Sequence, residues 1–563
     1  MTSRLPVVLM WHMHQPQYRD ALTGEYVLPW TYLHALKDYS DMAAHLEENP
    51  AARAVVNFTP VLLEQLLEYA SRVDQHLRGG TPVRDRVLAT LTEAPLPTAT
   101  EARLELVKAL LRAHRAHLIE RFEGFAEVAR LAESLASPER IAWASDQMIW
   151  DLATWYHLAW LGETVRRGDV RAQDLIRQGH GYAPAQRRKL LGLVAEVLNG
   201  IVPRYRALAL AGRVELSVTP YGHPILPLLF DFGAARESQP GAALPRHAEY
   251  AGGDDRASWH MAEAIRLFTA TFGFAPAGCW PSEGAVSDAT LALIDRFGLR
   301  WAATSSNVLQ NSVAAIQPDD LVRRDAPYRM PGQQLTCFFR HDGLSDAIGF
   351  EYSSWHGDDA AVHFAGEIAR LAEHYQHDPD RVLLIALDGE NAWEHYPFNG
   401  YYFLRGMYAA LAAHPRIELT TLSGYLERSP QAVPLPHVVA GSWVHGSLAT
   451  WMGDPAKNAG WDLLCDAKLA FDRVVVEGAL DEAQVAAAER QLALCESSDW
   501  FWWFGDYNPE DAVAQFDRLY RRQLANLYRL LKLEPPATLQ QPLSTGHHGA
   551  PEHGGTMRRA NAG

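Results

Sequence analysis

Seven short stretches of the chain are rich in apolar and β-branched residues, and each ends on polar or aromatic ones. They are PVVLMWH (6–12), AVVNFT (54–59), VELSVTPY (214–221), AGCWPSE (277–283), LRWAATSS (299–306), LTCFFRHD (335–342) and VLLIALDGE (382–390). The first and last are unbroken apolar runs, the pattern of strands covered on both faces, as in a parallel sheet. Between the stretches lie helix-length segments with apolar residues every three or four positions, for example 257–273 and 288–298. Ser287 is placed to cap the start of the second segment and Gly298 to end it. Strand and helix alternating in this way predict an α/β fold, and seven strands fit a barrel better than an open sheet. An eighth candidate, IELTTL (417–422), leaves closure of the barrel ambiguous.

The alternation breaks over 85–212, where long amphipathic stretches such as EARLELVKALLRAHRAHLIERFEGFAEVARL predict a helical insertion after the second strand. Beyond about 430 the strands stop; PLPHVV (434–439) reads as a linker, and 440–533 is mostly helical with two Trp-rich loops. From Pro535 the chain is rich in Pro, Gly, His and Ser, a composition that predicts disorder, so His547, His548 and His553 read as solvated rather than as a metal site. The expected organisation is a (β/α)7-type barrel over 1–433 with the insertion inside it, an α-helical C-terminal domain over 434–534, and a tail over 535–563.

Composition narrows the partners. A formal charge of -16 over 563 residues argues against nucleic acid or an anionic membrane as the main partner, and leaves a neutral ligand unaffected. The 17 Trp residues are many, and a good share stand beside polar residues in turns. Those read either as core or as flat platforms for a ligand with apolar faces and a hydroxyl rim. Four scattered cysteines without a C-x-x-C pair make a disulfide framework or zinc knuckle unexpected. The apolar run near the N-terminus is too short for a signal-peptide core, and no segment is long enough to span a bilayer, so a cytoplasmic location is expected.

In parallel α/β barrels the active site lies at the carboxyl ends of the strands. Those ends carry His12, His14, Asn57, Trp280 with Glu283, Arg340 with Asp342, and Asp388 with Glu390, while Glu215 lies inside its strand. There is no nucleophile elbow and no phosphate-binding glycine loop. Two carboxylates converging from different strand ends among Trp residues is the arrangement that glycoside hydrolysis needs: one ionised to attack, one protonated to help the leaving oxygen depart. Asp388 follows the dry run VLLIAL, where a raised pKa is easily arranged. Glu283 sits in GCWPSEGAVS, on a turn cramped between Pro281 and Gly284.

These residues resemble glycoside hydrolase family 57, the α-amylase and 4-α-glucanotransferase family, over about 5–510. WHMHQP (11–16), VELSVTPYGHPILPLL (214–229), GCWPSEGAVS (278–287) and ALDGENAWEHYP (386–397) are similar to its first four signatures, in order, and ELTTLSGYL (418–426) is a weaker fifth. The resemblance implies an incomplete (β/α)7 barrel followed by an α-helical domain. It also implies Glu283 as nucleophile and Asp388 as general acid/base of a retaining enzyme that needs no metal or other cofactor, acting on α-1,4-glucans or malto-oligosaccharides. His12 and His14 are then expected to bind sugar hydroxyls, although His-x-His is also a metal-ligand spacing. Glu215 is expected to orient a hydroxyl or to form a buried ion pair. Trp280 and Trp393 are candidate stacking platforms or core, Arg340 joins the substrate-binding set, and Glu390 is the internal rival for the acid. In the helical region, GSWVHGSLATWMGDPAKNAGWDLL (441–464) and SSDWFWWFGDYN (497–508) resemble the amylase and amylopullulanase branch, which offers Trp443, His445, Trp451, Asp499 and Trp500 as a wall of the cleft. A 4-α-glucanotransferase or amylopullulanase on the same scaffold, a zinc-dependent α-mannosidase and a non-catalytic glucan-binding protein are the alternatives.

Overall fold

The computed structural model describes residues 4–316 and 322–546. Ten strands form one sheet: β1 (Leu5–Met13), β2 (Ala54–Phe58), β3 (Val214–Val218), β4 (Gly278–Cys279), β5 (Trp301–Ser305), β6 (Tyr328–Arg329), β7 (Thr336–Arg340), β8 (Leu383–Asp388), β9 (Ile417–Leu419) and β10 (Val433–Pro434). Their order is β10-β6-β7-β5-β4-β3-β2-β1-β8, with β9 on the early part of β1. All ladders are parallel except β6–β7. The seven expected stretches are β1 to β5, β7 and β8. The eighth candidate is β9, which pairs with β1 over Leu5–Val7 rather than closing the barrel.

The barrel is incomplete because no ladder joins β7 to β8 among the described residues. A helical turn, Asp342–Asp346, follows β7 and fills the seam. His341 N–H donates to the Leu384 carbonyl (2.7 Å), Ala386 N–H to Ser345 Oγ (3.2 Å), and Arg340 Nη1 to the Ala386 carbonyl (3.0 Å). One backbone bond and two side-chain bonds thus stand in for a strand–strand ladder at this seam.

Alternation decides what faces inward. Val8 and Met10 of β1, Val55 of β2, Ala303 of β5, Phe338 of β7, and Leu384 and Ala386 of β8 pack with Trp280, Trp301, Leu422 and Tyr425 in a dry plug inside the barrel. Continuing the same rows by two residues brings His12, Asn57, Arg340 and Asp388 to the carboxyl rim. His12 and Asp388 are direct register partners. The outward row of β1 (Val7, Leu9, Trp11, Met13) joins the large surrounding core.

The connection from β2 to β3 is helical, beginning with Pro60–Gly79 and ending with the 27-residue helix Pro184–Leu210. After β10, helices Pro455–Val476, Glu482–Cys495, Ser498–Trp503 and Glu510–Leu530 follow. They share one continuous apolar core with the barrel's outer face and the insertion. The short strand β10 stands where a linker was expected. The expected disorder from Pro535 does not hold for 535–546: Leu539 is buried, Leu543 N–H donates to Asp517 Oδ1 (2.8 Å), and Ser544 Oγ accepts from Gly505 N–H (3.0 Å). One apolar anchor and two polar contacts tie down a stretch whose composition by itself favours disorder. His547, His548 and His553 lie outside the described residues. Ser287 caps the helix Asp288–Arg296 through Thr290 N–H, and Gly298, at φ +75°, follows its end.

Candidate active site

A cavity of about 380 Å3 opens over the carboxyl rim, lined by His12, His14, Glu283, Asp388, Glu390 and Trp443, with Asp499, Trp502, Trp503 and Phe516 from the C-terminal helices and Trp30 and Trp160 opposite. Its size and mixed lining suit a small ligand with apolar faces.

Glu283 stands on a helical turn, Ser282–Gly284, but with φ 57° and ψ 22°, a left-handed conformation uncommon for a residue with a side chain. Such strain is tolerated where surroundings fix it and tends to mark functional sites. Here Trp443 does the fixing twice: its backbone N–H donates to the Glu283 carbonyl (3.1 Å) and its indole Nε1 to Glu283 Oε2 (2.9 Å). Trp443 is itself held by the Arg340 guanidinium, 5.1 Å from its ring centroid, and by an edge contact with Trp280 at 5.1 Å. A donor on the carboxylate favours its ionised form.

Asp388 has the opposite environment. Its burial at the end of a dry strand raises its pKa from 3.8 to about 6, against the opposing pull of the Asn391 amide, which donates to Oδ2 (2.7 Å), and of His14 and Arg340. Glu390 is buried further: burial first, then the charges of Asp388 and Asp38, hold it well above the usual carboxylate range. It accepts from His14 N–H (3.2 Å) and Gln15 Nε2 (3.4 Å) through Oε1.

His12 and His223 are neutral for related reasons. Burial, then repulsion by His14, lowers His12 to about 3. Asn57 donates Nδ2 to Ser217 Oγ (3.1 Å), so its Oδ1 faces His12 Nδ1 (2.7 Å); that nitrogen carries the proton and Nε2 is left as an acceptor. Burial and its two histidine neighbours also depress His223, whose ring stacks on His14 at 3.8 Å and whose Nδ1 lies 2.8 Å from Ser498 Oγ and 4.0 Å from Glu283 Oε1. His14 bridges Thr59 Oγ1 (3.1 Å) and Asp499 Oδ1 (2.7 Å).

One trio has ligand-type side chains close together, His14, His223 and Asp499, with atoms within 4.8 Å of one another. The two imidazole planes are stacked, 15° from parallel. Lone pairs lying in stacked planes do not converge on one ion about 2.0–2.1 Å from each nitrogen, the distance tetrahedral zinc requires. His12, the other member of the His-x-His pair, is outside this trio, and the trio itself has a geometry that suits hydrogen bonding.

A family model for glycosyl hydrolase family 57 matches residues 8–436, which includes every element that carries the rim. The chain belongs to glycosyl hydrolase family 57. Its fold is similar to a family 57 branching enzyme of Thermococcus kodakaraensis (TM-score 0.58, 17% identity, 93% of this chain and 90% of that one). It is similar also to the α-amylase AmyC of Thermotoga maritima (TM-score 0.57, 12% identity, 94% of each chain). A 4-α-glucanotransferase of Thermococcus litoralis matches as well (TM-score 0.50, 13% identity, 94% of this chain and 60% of that one). This family 57 chain is a glycoside hydrolase or a related transferase.

Of the residues expected at the site, Glu283, Asp388, His12, His14, Glu390, Trp443 and Asp499 line the cavity. The others do not. Glu215 is at the opposite end of β3, where it accepts from Trp301 Nε1 (2.7 Å) and caps the helix Leu422–Leu426 through Ser423 N–H (2.9 Å) and Oγ (2.6 Å). Its inward position is real, but it closes the barrel floor, and the expected ion pair is absent among the described residues. Trp280 is buried beneath Trp443 and His12, and Arg340 is engaged by Asp342 Oδ1 (2.6 Å) behind Trp443. Trp393 packs on Trp11 and donates to the Gly389 carbonyl (2.8 Å); Trp500 donates to the Leu494 carbonyl (2.9 Å). Trp451 is buried beside Trp502, and His445 is exposed away from the lining.

His223, Trp30, Trp160, Asn391, Trp502 and Trp503 are lining or contacting residues that the sequence reading passed over. A signal existed for some. Asp499, Trp502 and Trp503 stand at i, i+3 and i+4, so a helix that offers Asp499 to the cavity offers those two rings and turns Trp500 inward. His223 lies in the loop after β3, beyond Gly222 at φ +71° and itself at φ 61°.

Proposed function

We propose that this chain is a retaining α-glucan enzyme, α-amylase-like in hydrolysing internal α-1,4 bonds, with Glu283 as nucleophile and Asp388 as general acid/base. The observation that carries the reading is the contrast between two carboxylates that face one cavity: Glu283 held by an indole donor, Asp388 desolvated and raised to about 6. The names of the structural relatives, a branching enzyme, an amylase and a glucanotransferase, support α-glucan as the substrate class.

In the first step a Glu283 oxygen bonds to the anomeric carbon as the glycosidic C–O bond breaks, and the Asp388 proton goes to the departing oxygen. In the second, ionised Asp388 takes a proton from water, whose oxygen attacks the same carbon and releases Glu283 as a carboxylate. A pKa near 6 serves both halves of this cycle. Glu390 is held too high to act as the base in the second, which favours Asp388 over it. Neutral His12 and His223 offer hydrogen bonds to hydroxyls of the bound sugar without adding charge beside the acid. A sugar hydroxyl in place of water makes the same machinery a 4-α-glucanotransferase, and the apolar wall of Trp502, Trp503 and Phe516 gives an acceptor sugar a surface.

Azide chemistry tests the assignment. Asp388→Ala retains turnover of an activated aryl maltoside and, with azide, yields a glycosyl azide of retained configuration; Glu283→Gly yields the inverted azide. Equal losses on activated and natural substrates, with no azide product from either variant, refute these roles. Products from maltoheptaose separate the two outcomes: shorter chains alone indicate hydrolysis, longer chains transfer.

A further inference from the structure

Four large aromatic side chains are more than a third exposed among the described residues: Trp143 (79%), Trp355 (40%), Phe398 (40%) and Tyr402 (38%). Three of the four line one second cavity of about 350 Å3, together with His356, Asp358 and Tyr396. Random exposure of apolar surface scatters such residues singly; three rings in one concavity is a built feature.

The backbone is bent to make it. Phe398 and Asn399 both have φ 55°, and Gly400 has φ 70°, so three consecutive residues are left-handed. Two of them carry side chains and would relax to right-handed turns if nothing held them. On the other wall, a Cβ on Gly357 would fall 2.9 Å from Phe403 N and 3.0 Å from Tyr402 Cβ, so only glycine lets the Trp355 segment lie against the helix Tyr401–Ala413. The rings are also braced. The Arg121 guanidinium stands 4.7 Å from the Phe398 centroid, and Arg167 Nη2 donates to Tyr402 Oη (3.1 Å). Trp355 meets Tyr352 edge-on at 5.3 Å.

We propose that this cavity is a second binding site for an α-glucan chain, separate from the catalytic cleft. The ligand class rests on the reading of the substrate given above. Its chemistry fits: exposed ring faces suit the C–H faces of sugars, and the Asp358 carboxylate and His356 imidazole at the rim suit hydroxyls. Position gives the second reason. Glu394 lines the catalytic cavity and Tyr396 lines this one. Two residues of chain span at most about 7 Å, so the two cavities flank a single loop. A polymer long enough to cross this loop can occupy both cavities, whereas a short oligosaccharide held in one cannot. Mixed aromatic and acidic lining around a concavity of this size suits a chain of sugars better than the flat surface of a protein partner.

Native gel electrophoresis with amylopectin in the gel tests this on the full chain, using Glu283→Gln as the parent so that the polymer is not consumed. Adding Trp355→Ala is expected to weaken retardation about five- to tenfold, the scale of one lost stacking contact with its buried area. Asp358→Ala is expected to weaken it less. In the active enzyme, Trp355→Ala raises KM for amylopectin while kcat/KM for an aryl maltoside stays within about twofold, since exposed substitutions rarely disturb a distant site. Unchanged retardation, or no retardation of the parent, overturns the site. Equal loss on the aryl maltoside overturns its separateness from the cleft. The gel needs no turnover, so an enzyme inactive on α-glucans refutes the catalytic reading alone, while retardation that depends on Trp355 still supports this site.

Discussion

Asn391 offers a perturbation whose direction runs against ordinary expectation for a site residue. Its amide donates to Asp388 Oδ2 at 2.7 Å and is foremost among the groups that lower the carboxyl's pKa, against the larger effect of burial that raises it to about 6. With that value, about a tenth of the free enzyme carries the Asp388 proton at pH 7. A hydrogen bond to a charged acceptor contributes about 1.5–3 kcal/mol, and water entering the cavity replaces part of it. Asn391→Ala therefore raises the pKa by about one unit, at 1.36 kcal/mol per unit. The fraction of enzyme with protonated Asp388 at pH 8 then rises about tenfold. The assay is kcat/KM against pH on an unactivated malto-oligosaccharide, because this parameter reports the free enzyme. The alkaline limb is expected near pH 6 in the parent and about one unit higher in the variant, so the variant's rate relative to parent improves as pH rises. An alkaline limb that stays in place, or moves down, refutes Asp388 as the proton donor and turns attention to Glu390.

Trp443→Phe keeps the ring between Arg340 and Trp280 but removes the indole donor that orients Glu283, so kcat/KM on a malto-oligosaccharide is expected to fall about tenfold, the scale of one lost hydrogen bond to a charged group; an unchanged kcat/KM argues against Glu283 as the nucleophile. Prolonged EDTA treatment leaves activity unchanged, as the stacked His14 and His223 planes imply; loss restored by zinc contradicts it. Away from the site, Glu496 is buried against Arg256 (Nε, 2.9 Å), His260 (2.6 Å) and Tyr250 Oη (2.6 Å), joining the helix Gly253–Phe272 to the C-terminal helices. Desolvation opposes its charge, but Arg256 and His260 prevail and lower it from 4.5 to about 2. Its folded pKa is depressed, so its contribution to stability is present above pH 4.5 and is lost as pH falls from there towards 2. Glu496→Gln is expected to cost about 3–5 kcal/mol in urea unfolding at pH 7, and to flatten the acid dependence; a stability within 1 kcal/mol of parent, about the size of an exposed ion pair, refutes this reading.

The sequence alone determined the strands and which of their residues point inward, because period-two alternation is a local property. Val8, Met10 and His12 form one row, Leu384, Ala386 and Asp388 another, and both rows must end at the same rim once the strands are parallel. The isolation of Glu283 between Pro281 and Gly284 was equally visible. What it could not decide was depth along a row and the far side of the cleft. Glu215 points inward like the others, but register places it at the floor, where it caps a helix more than 200 residues later in the chain. Trp280, Trp393 and Trp500 have the composition of platforms, yet each is buried by neighbours remote in sequence. Trp160 and Trp502 meet the rim only because the insertion and the C-terminal helices pack over it. The contrast between the settings of Glu283 and Asp388 is tertiary as well. It depends on an indole brought by residue 443 and on the exclusion of water by those same walls, and no local pattern in a chain encodes either.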